Sequence, residues 1–284
     1  MANGASYNKL IRSIFERLHD KGLRYFPDPG TLAKKLRESI KKSGAQFHLK
    51  AGDAALFGSA AVEMWLKAVH SFLISTSVMK SSPIWSAVSG YYSSHYVMRA
   101  YSHLFGLFLL GRDRQIVEMS LSNGRYSCEV HKKKNPLEHQ FYWELPYSEF
   151  GVPGNFLFTK NPKITNDSDI SDGFHRVYAN YFDHVNQFPN FTPLDEIFLK
   201  DRVNKISDRV TDSPTIPDHS KFADLDSVHV IAYARIVEFR SFLDEILDPK
   251  NRYWGYFRKP SWFLKYIDFQ ILDRSTLASD KIAR

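Results

Sequence analysis

The stretch from Ser82 to Leu110, SPIWSAVSGYYSSHYVMRAYSHLFGLFLL, constrains this chain more than any other, because its spacing predicts one long helix. Ser82 can accept hydrogen bonds from the free backbone N–H groups of the first turn. Pro83 suits the first helical position, where a missing N–H would have had no intrahelical partner. Trp85, Val88, Tyr92, Tyr96, Arg99, His103 and Leu107 then recur at steps of three and four residues, while Ala87, Gly90, Ser94, Val97 and Tyr101 turn to other faces. A helix with apolar groups on nearly every side belongs at the centre of a bundle, its Gly and Ser positions letting neighbours approach closely.

A second long helix precedes it. Asp53 can cap a segment reaching Met79, in which Ala61, Met64, Trp65, Ala68, Val69, Phe72 and Leu73 form a buried stripe. Two such helices joined by a short Lys-Ser-Ser turn are expected to pack as an antiparallel hairpin. Upstream, residues 6 to 24 set Leu10, Ile11, Ile14, Phe15 and Leu18 against Lys9, Arg12, Arg17 and Lys21, an amphipathic basic helix that Gly22 stops. After a turn at Pro27, Pro29 and Gly30, Thr31 is expected to cap another, with Leu32, Leu36 and Ile40 opposite Lys34, Lys35, Arg37, Lys41 and Lys42. That face is either simply solvated or a phosphate-binding surface. Gly44 to Gly52 reads as a connection.

Beyond Gly111 the period changes from 3.6 to 2. Val117, Met119 and Leu121 alternate with polar residues, Asn123-Gly124 supplies what a two-residue type I′ turn needs, and Tyr126, Cys128 and Val130 alternate on the return. The register checks itself: with Ser122 opposite Arg125, Leu121 meets Tyr126, Met119 meets Cys128 and Val117 meets Val130, all on one face. Such pairs contribute roughly 0.2 to 1 kcal/mol each, so the hairpin needs a surface to lean on. Gln140 to Leu145, read as a further strand, or the helical core are the two candidates. Lys132, Lys133 and Lys134 form a basic tip.

Pro, Gly, Asn, Asp and Ser crowd the segment 146 to 172, which reads as loop with a short strand at Phe156 to Thr159. Helices are expected around Gly173 to Val185, from Thr192-Pro193 to about Val210, and from a cap at Asp224 through Leu225 to Leu247, with Pro249 following. The tail Asn251 to Phe269 interleaves Tyr253, Trp254, Tyr256, Phe257, Trp262, Phe263 and Tyr266 with Arg252, Arg258, Lys259 and Lys265. It suits either stacked bases and phosphates or docking onto a protein core. The domain expectation is thus a basic helical extension at 1–50, a helical bundle at 51–248 with a β insertion at about 115–160, and an aromatic, basic tail at 249–284.

With 284 residues, 43% of them hydrophobic, the chain can build a sizeable core. No apolar run reaches the length of a membrane span, and the charged N-terminal stretch lacks the apolar centre of a signal peptide, so a cytoplasmic protein is expected. The single cysteine, Cys128, excludes an internal disulfide and a multi-cysteine zinc site. A formal charge of +7 favours acidic partners, nucleic acid among them. No phosphate-cradling glycine loop, HExxH or GxSxG sequence occurs, and neither a cofactor nor a metal is expected.

His95, Arg99 and His103 stand four residues apart on one helix face. They read as polar groups satisfied inside a bundle. Alternatively, a histidine beside an arginine can take a proton from a ribose 2′-hydroxyl while the cation stabilises the charged phosphorane, a metal-free cleavage of RNA.

The run SGYYSSHYVMRAYSHLFG resembles the signature helix of the HEPN family (higher-eukaryote and prokaryote nucleotide-binding domains), whose members often carry a YYAxFHAARALL-like stretch there. The preceding helix and the last strong helix fall where a HEPN four-helix bundle places them. The fold expectation is therefore mainly α, a HEPN-like antiparallel helical bundle with a small β-hairpin or β-sheet insertion. Members that cleave RNA carry an arginine, then four to six residues, then a histidine. In the corresponding segment, LKDRVNKISDRV, Arg202 is present but Asp208 stands where the histidine belongs, with Asn204 between. An aspartate cannot supply the same acid and base pair near neutral pH.

The resemblance implies a component of a prokaryotic defence or toxin–antitoxin system that binds RNA, nucleotide or a partner subunit without the standard cleavage, as a homodimer or within a complex. Two alternatives stand beside it. One is an active metal-independent ribonuclease using Arg202 with Asp208 and Asn204, or His95, Arg99 and His103. The other is a structural subunit whose basic face and aromatic tail dock onto a larger assembly. The candidate nucleic-acid contacts are Lys34, Lys35, Lys41, Lys42, Lys132, Lys133, Lys134, Arg258 and Lys259.

Overall fold

The computed structural model describes residues 4–22, 29–78, 83–111, 115–132, 141–143, 146 and 227–258. The elements expected between residues 147 and 224 lie outside them. The described chain is mostly helical with one small antiparallel sheet. Its elements are α1 (Gly4–Lys21), α2 (Pro29–Ser43), β1 (Gln46–Leu49), α3 (Ala51–Val78), α4 (Pro83–Leu104), β2 (Leu107–Leu110), β3 (Gln115–Ser122), β4 (Arg125–Lys132), α5 (Ser227–Ile246) and α6 (Arg252–Phe257). Among the described residues, no helix is long and apolar enough to cross a membrane.

Two compact units divide the chain: one takes residues 1–66, 95–150 and 239–258, the other 67–94, 151–238 and 259–284. In the first, α1 buries Leu10, Ile11, Ile14, Phe15 and Leu18, the stripe expected from the sequence, whereas α2 buries Leu32 and Leu36 but leaves Ile40, expected beside them, half-buried on the same side as Lys34, Arg37 and Lys41. α2 begins at Pro29 instead of after Thr31, because the proline itself takes the first helical position. α3 starts at Ala51, so Asp53 sits in the first turn, where its charge faces the positive end of the helix, and is not the cap.

The hairpin between β3 and β4 has the expected register, Ser122 opposite Arg125 through Val117 opposite Val130. Asn123 (φ 49°) and Gly124 (φ 72°) both adopt the left-handed conformations a type I′ turn requires. The sheet around it holds two strands that the sequence reading placed otherwise. Gln46–Leu49, read as connection, pairs with β4. Leu107–Leu110, read as the end of a long helix, pairs with β3, completing the order β1-β4-β3-β2.

The cause of the second difference is Gly106. Its φ is +82°, and a Cβ there would collide with the carbonyl oxygen of Met119. The Gly106 N–H caps the His103 carbonyl, and its own carbonyl accepts from the Met119 N–H at 2.8 Å. The glycine thus ends α4 and hands the chain to the sheet in one step. One face of the sheet packs Phe47, Leu49, Phe108, Val117, Met119, Tyr126 and Cys128 inward. On the other, Leu109 and Ile116 lie under Phe141 and Tyr142. The segment 141–143, expected as a strand, is helical, because its aromatic rings cover that apolar corner instead of extending the ladder.

α6 closes this unit. Asn251 caps it by accepting from the Trp254 N–H at 3.0 Å, while its amide donates to the Phe15 carbonyl of α1 at 3.0 Å. Trp254 packs on Trp65 with ring centroids 5.1 Å apart, and Trp65 stacks on Phe239. The start of the aromatic tail is therefore core.

In the second unit, α3 and α4 run antiparallel. Ser75 donates to the Ser86 carbonyl at 2.6 Å and Ser86 returns the bond to the Ser75 carbonyl at 2.7 Å, while Ser93 donates to the Ala68 carbonyl at 2.8 Å. Small hydroxyl residues let the two backbones approach and satisfy each other, as the Gly and Ser content of the sequence implied.

Candidate functional site

Two groups of chemistry-bearing side chains stand out, one with two buried histidines about a half-buried arginine and one exposed. The buried group lies along α4. His95, Arg99 and His103 share a face, and the rings of Tyr142 and Trp143 cover it. The Trp143 indole N–H donates to Nδ1 of His95 at 3.2 Å, which leaves the His95 proton on Nε2. Nδ1 of His103 lies 3.0 Å from the Leu107 carbonyl, an oxygen that can only accept, so His103 carries its proton on Nδ1. The two histidines therefore hold opposite tautomers.

His103 is fully buried, stacked on Phe108 at 5.0 Å and edge-on to Tyr142 at 5.6 Å. Burial holds its pKa down to about 3, the nearby Arg99 charge adds to the lowering, and the Leu107 hydrogen bond opposes both. The ring is neutral at physiological pH, and among the described residues its Nε2 lone pair has no hydrogen-bond partner. The Arg99 guanidinium sits over the Tyr142 ring at 4.8 Å, a cation–π contact. Chemically this group has a buried base and a half-buried cation one turn apart, both against the Tyr142 ring. A base acts on a substrate only within hydrogen-bond reach of the proton it removes, and here Nε2 of His103 is buried away from solvent.

The exposed group lies on α2. Lys34, Arg37 and Lys41 fall at i, i+3 and i+7, one face of the helix, and line a groove of about 470 Å³ together with Glu38, Ile40 and Gln115. Gln115 opens β3, and the register places the Lys132 backbone opposite it, so the first residue of the basic tip lies at this end of the sheet. Lys35 and Lys42 are exposed on α2 outside the groove lining; Lys35 pairs with Glu38 at 3.8 Å across half-exposed side chains. Ion pairs of that kind contribute little and exchange readily with solvent.

The Arg258 guanidinium is engaged by Asp244, which also accepts from the Trp254 indole N–H at 2.7 Å and pairs with Arg240 at 3.5 Å. It ties α6 to α5. Arg202, Asn204, Asp208, Lys133, Lys134 and Lys259 lie outside the described residues. Cys128 is buried in β4 with its thiol pushed up to about 12 by desolvation, which makes it an inert core residue. Among the described residues, no group of three or more His, Cys, Asp and Glu is placed to hold a metal.

Sequence reasoning missed Glu38 and Gln115 as groove residues. Glu38 was visible one residue from Arg37, but the approach of α2 to the start of β3 is tertiary and leaves no local signal. No family model, curated protein or solved structure matches this chain.

Proposed function

We propose that this chain binds RNA through the cationic groove of α2 and acts without cutting it. The observation that carries this reading is the convergence of Lys34, Arg37 and Lys41 on one groove of about 470 Å³, within the size range of small-ligand sites. Three cations on one face can contact successive phosphates, and the net charge of +7 draws polyanions to the surface. The resemblance of the α4 sequence to the HEPN signature helix points the same way. It sets the proposal in a HEPN-like bundle serving prokaryotic defence or toxin–antitoxin chemistry, beside a partner subunit or a second copy.

The test is the salt dependence of single-stranded RNA binding by the full chain and by the Lys34→Ala/Arg37→Ala/Lys41→Ala variant. Three lost phosphate contacts reduce the slope of log K against log salt by about 2. An unchanged slope would remove the groove from RNA binding.

A second reading rests on a different observation, the unpartnered Nε2 of His103 one turn from Arg99. In it the chain is a metal-independent ribonuclease. RNA cleavage in the presence of EDTA, lost in His103→Ala or Arg202→Ala but not in the α2 variant, would favour it.

A further inference from the structure

The α2 groove is not a plain phosphate cradle, because a carboxylate lines it. Glu38 stands between Arg37 and Lys41 in sequence and shares the lining with all three cations, Ile40 and Gln115. Toward a polyphosphate or a polysulfate, Glu38 is only a repulsion. Toward a nucleotide with an unpaired base it is an acceptor, and the rest of the lining then has a use as well.

The bases differ at the edge such an acceptor would meet. Guanine presents two adjacent donors, N1–H and the N2 amino group, which match the two oxygens of a carboxylate. Adenine and cytosine present one amino group next to a ring nitrogen acceptor, and uracil presents one N–H between two carbonyl oxygens, so each sets a lone pair against the carboxylate. In a duplex the guanine edge is occupied by cytosine, and only an unpaired guanine can offer it. Ile40 gives an apolar wall for the face of the base, the Arg37 guanidinium plane can stack on it or hold a phosphate, and the Gln115 amide has a donor and an acceptor for the remaining base or ribose groups. Glu38 is half exposed and its pairing with Lys35 is long, at 3.8 Å, so it can turn to a ligand without leaving a buried charge behind.

We infer that the α2 groove reads an unpaired guanine in single-stranded RNA, with Glu38 as the specificity-determining residue and Lys34, Arg37 and Lys41 as the phosphate contacts. This rests on the RNA-binding reading above and adds base preference to it.

The experiment measures the binding of the full chain and of Glu38→Gln to oligouridylate and to the same oligonucleotide with one central guanosine, inosine, adenosine or cytidine. The guanosine oligonucleotide is expected to bind the full chain tighter than oligouridylate by about fivefold, the lower end of what one good bidentate pair confers, with inosine between because it lacks the 2-amino group. In Glu38→Gln the guanosine preference disappears while oligouridylate binds tighter, since a negative charge has left the phosphate path. Equal tightening of every oligonucleotide, with no guanosine preference in either protein, would make Glu38 a bystander and overturn the inference. The Lys34→Ala/Arg37→Ala/Lys41→Ala variant separates the two levels. If it binds oligouridylate as the full chain does, the RNA-binding reading fails at this groove, whatever Glu38 does.

Discussion

The α4 ridge of His95, Arg99 and His103 and the α2 face of Lys34, Arg37 and Lys41 are each three basic side chains recurring about one helical turn apart, and their surroundings make them opposites. On α4 the aromatic rings of Phe108, Tyr142 and Trp143 exclude water, and the folded protein meets that cost by keeping His103 neutral and laying Arg99 on a ring. On α2 the side chains of Lys34, Arg37 and Lys41 stay exposed around a groove, where they retain their field. Periodicity brings charges together; desolvation decides whether they hold the fold or meet a ligand.

The largest effect that sharpens this contrast is the pH dependence of stability. The folded pKa of His103 is about 3 against an ordinary value of 6.5. Between those two values the unfolded chain binds a proton that the folded chain does not, so stability is complete above about 6.5 and is lost as the pH falls. The loss from this group is about 1.4 kcal/mol for each pH unit. Urea unfolding of the full chain and of His103→Gln, which cannot titrate, is expected to show a shallower slope below pH 6 for the variant. Equal slopes would mean that the ring is hydrated or charged in the folded state, and the comparison would break.

A smaller effect concerns the cover. Trp143→Phe retains a ring over the ridge but removes the N–H that His95 Nδ1 accepts from, leaving a buried acceptor unmet at a cost of about 1 to 3 kcal/mol. The expected result is a lower urea midpoint with RNA affinity unchanged. A variant that lost RNA binding while keeping its midpoint would make the α4 ridge part of the ligand site.

The parts of this contrast that were legible in the sequence are those that depend on neighbours along the chain. The hairpin register followed from Asn123-Gly124 and period-two alternation, and the α2 cations followed from helical spacing. β1 and β2 were not legible. Each has four residues, and Leu107–Leu110 is an uninterrupted apolar run that fits the end of a helix as well as a strand. Gly106 was the available signal, but its conformation is set by the Met119 carbonyl on another strand. The three aromatic residues at 141–143 carry strand propensity, which gave way to the burial of Leu109 and Ile116. The burial of His95 and His103 was foreseeable from a helix apolar on most faces. Their opposite tautomers were not, since these are set by Trp143 and by the Leu107 carbonyl exposed where α4 gives way to β2.

The smallest expected effect on stability is the most informative about α2. Lys41 is exposed at the groove, so Lys41→Ala is expected to leave the urea midpoint within about 0.5 kcal/mol of the full chain, as surface substitutions do. On the RNA-binding proposal the same substitution is expected to reduce the salt slope for single-stranded RNA by about 0.7, the share of one phosphate contact. Trp143→Phe is expected to do the reverse, lowering stability with the slope intact. The pair forms a crossed test in which each variant is the other's control for folding. If both variants change both quantities, the two regions are coupled and the division between a desolvated ridge that holds the fold and a solvated face that binds is wrong. If each changes only its own quantity, the burial of ionisable groups accounts for which of the two polar clusters is available to RNA.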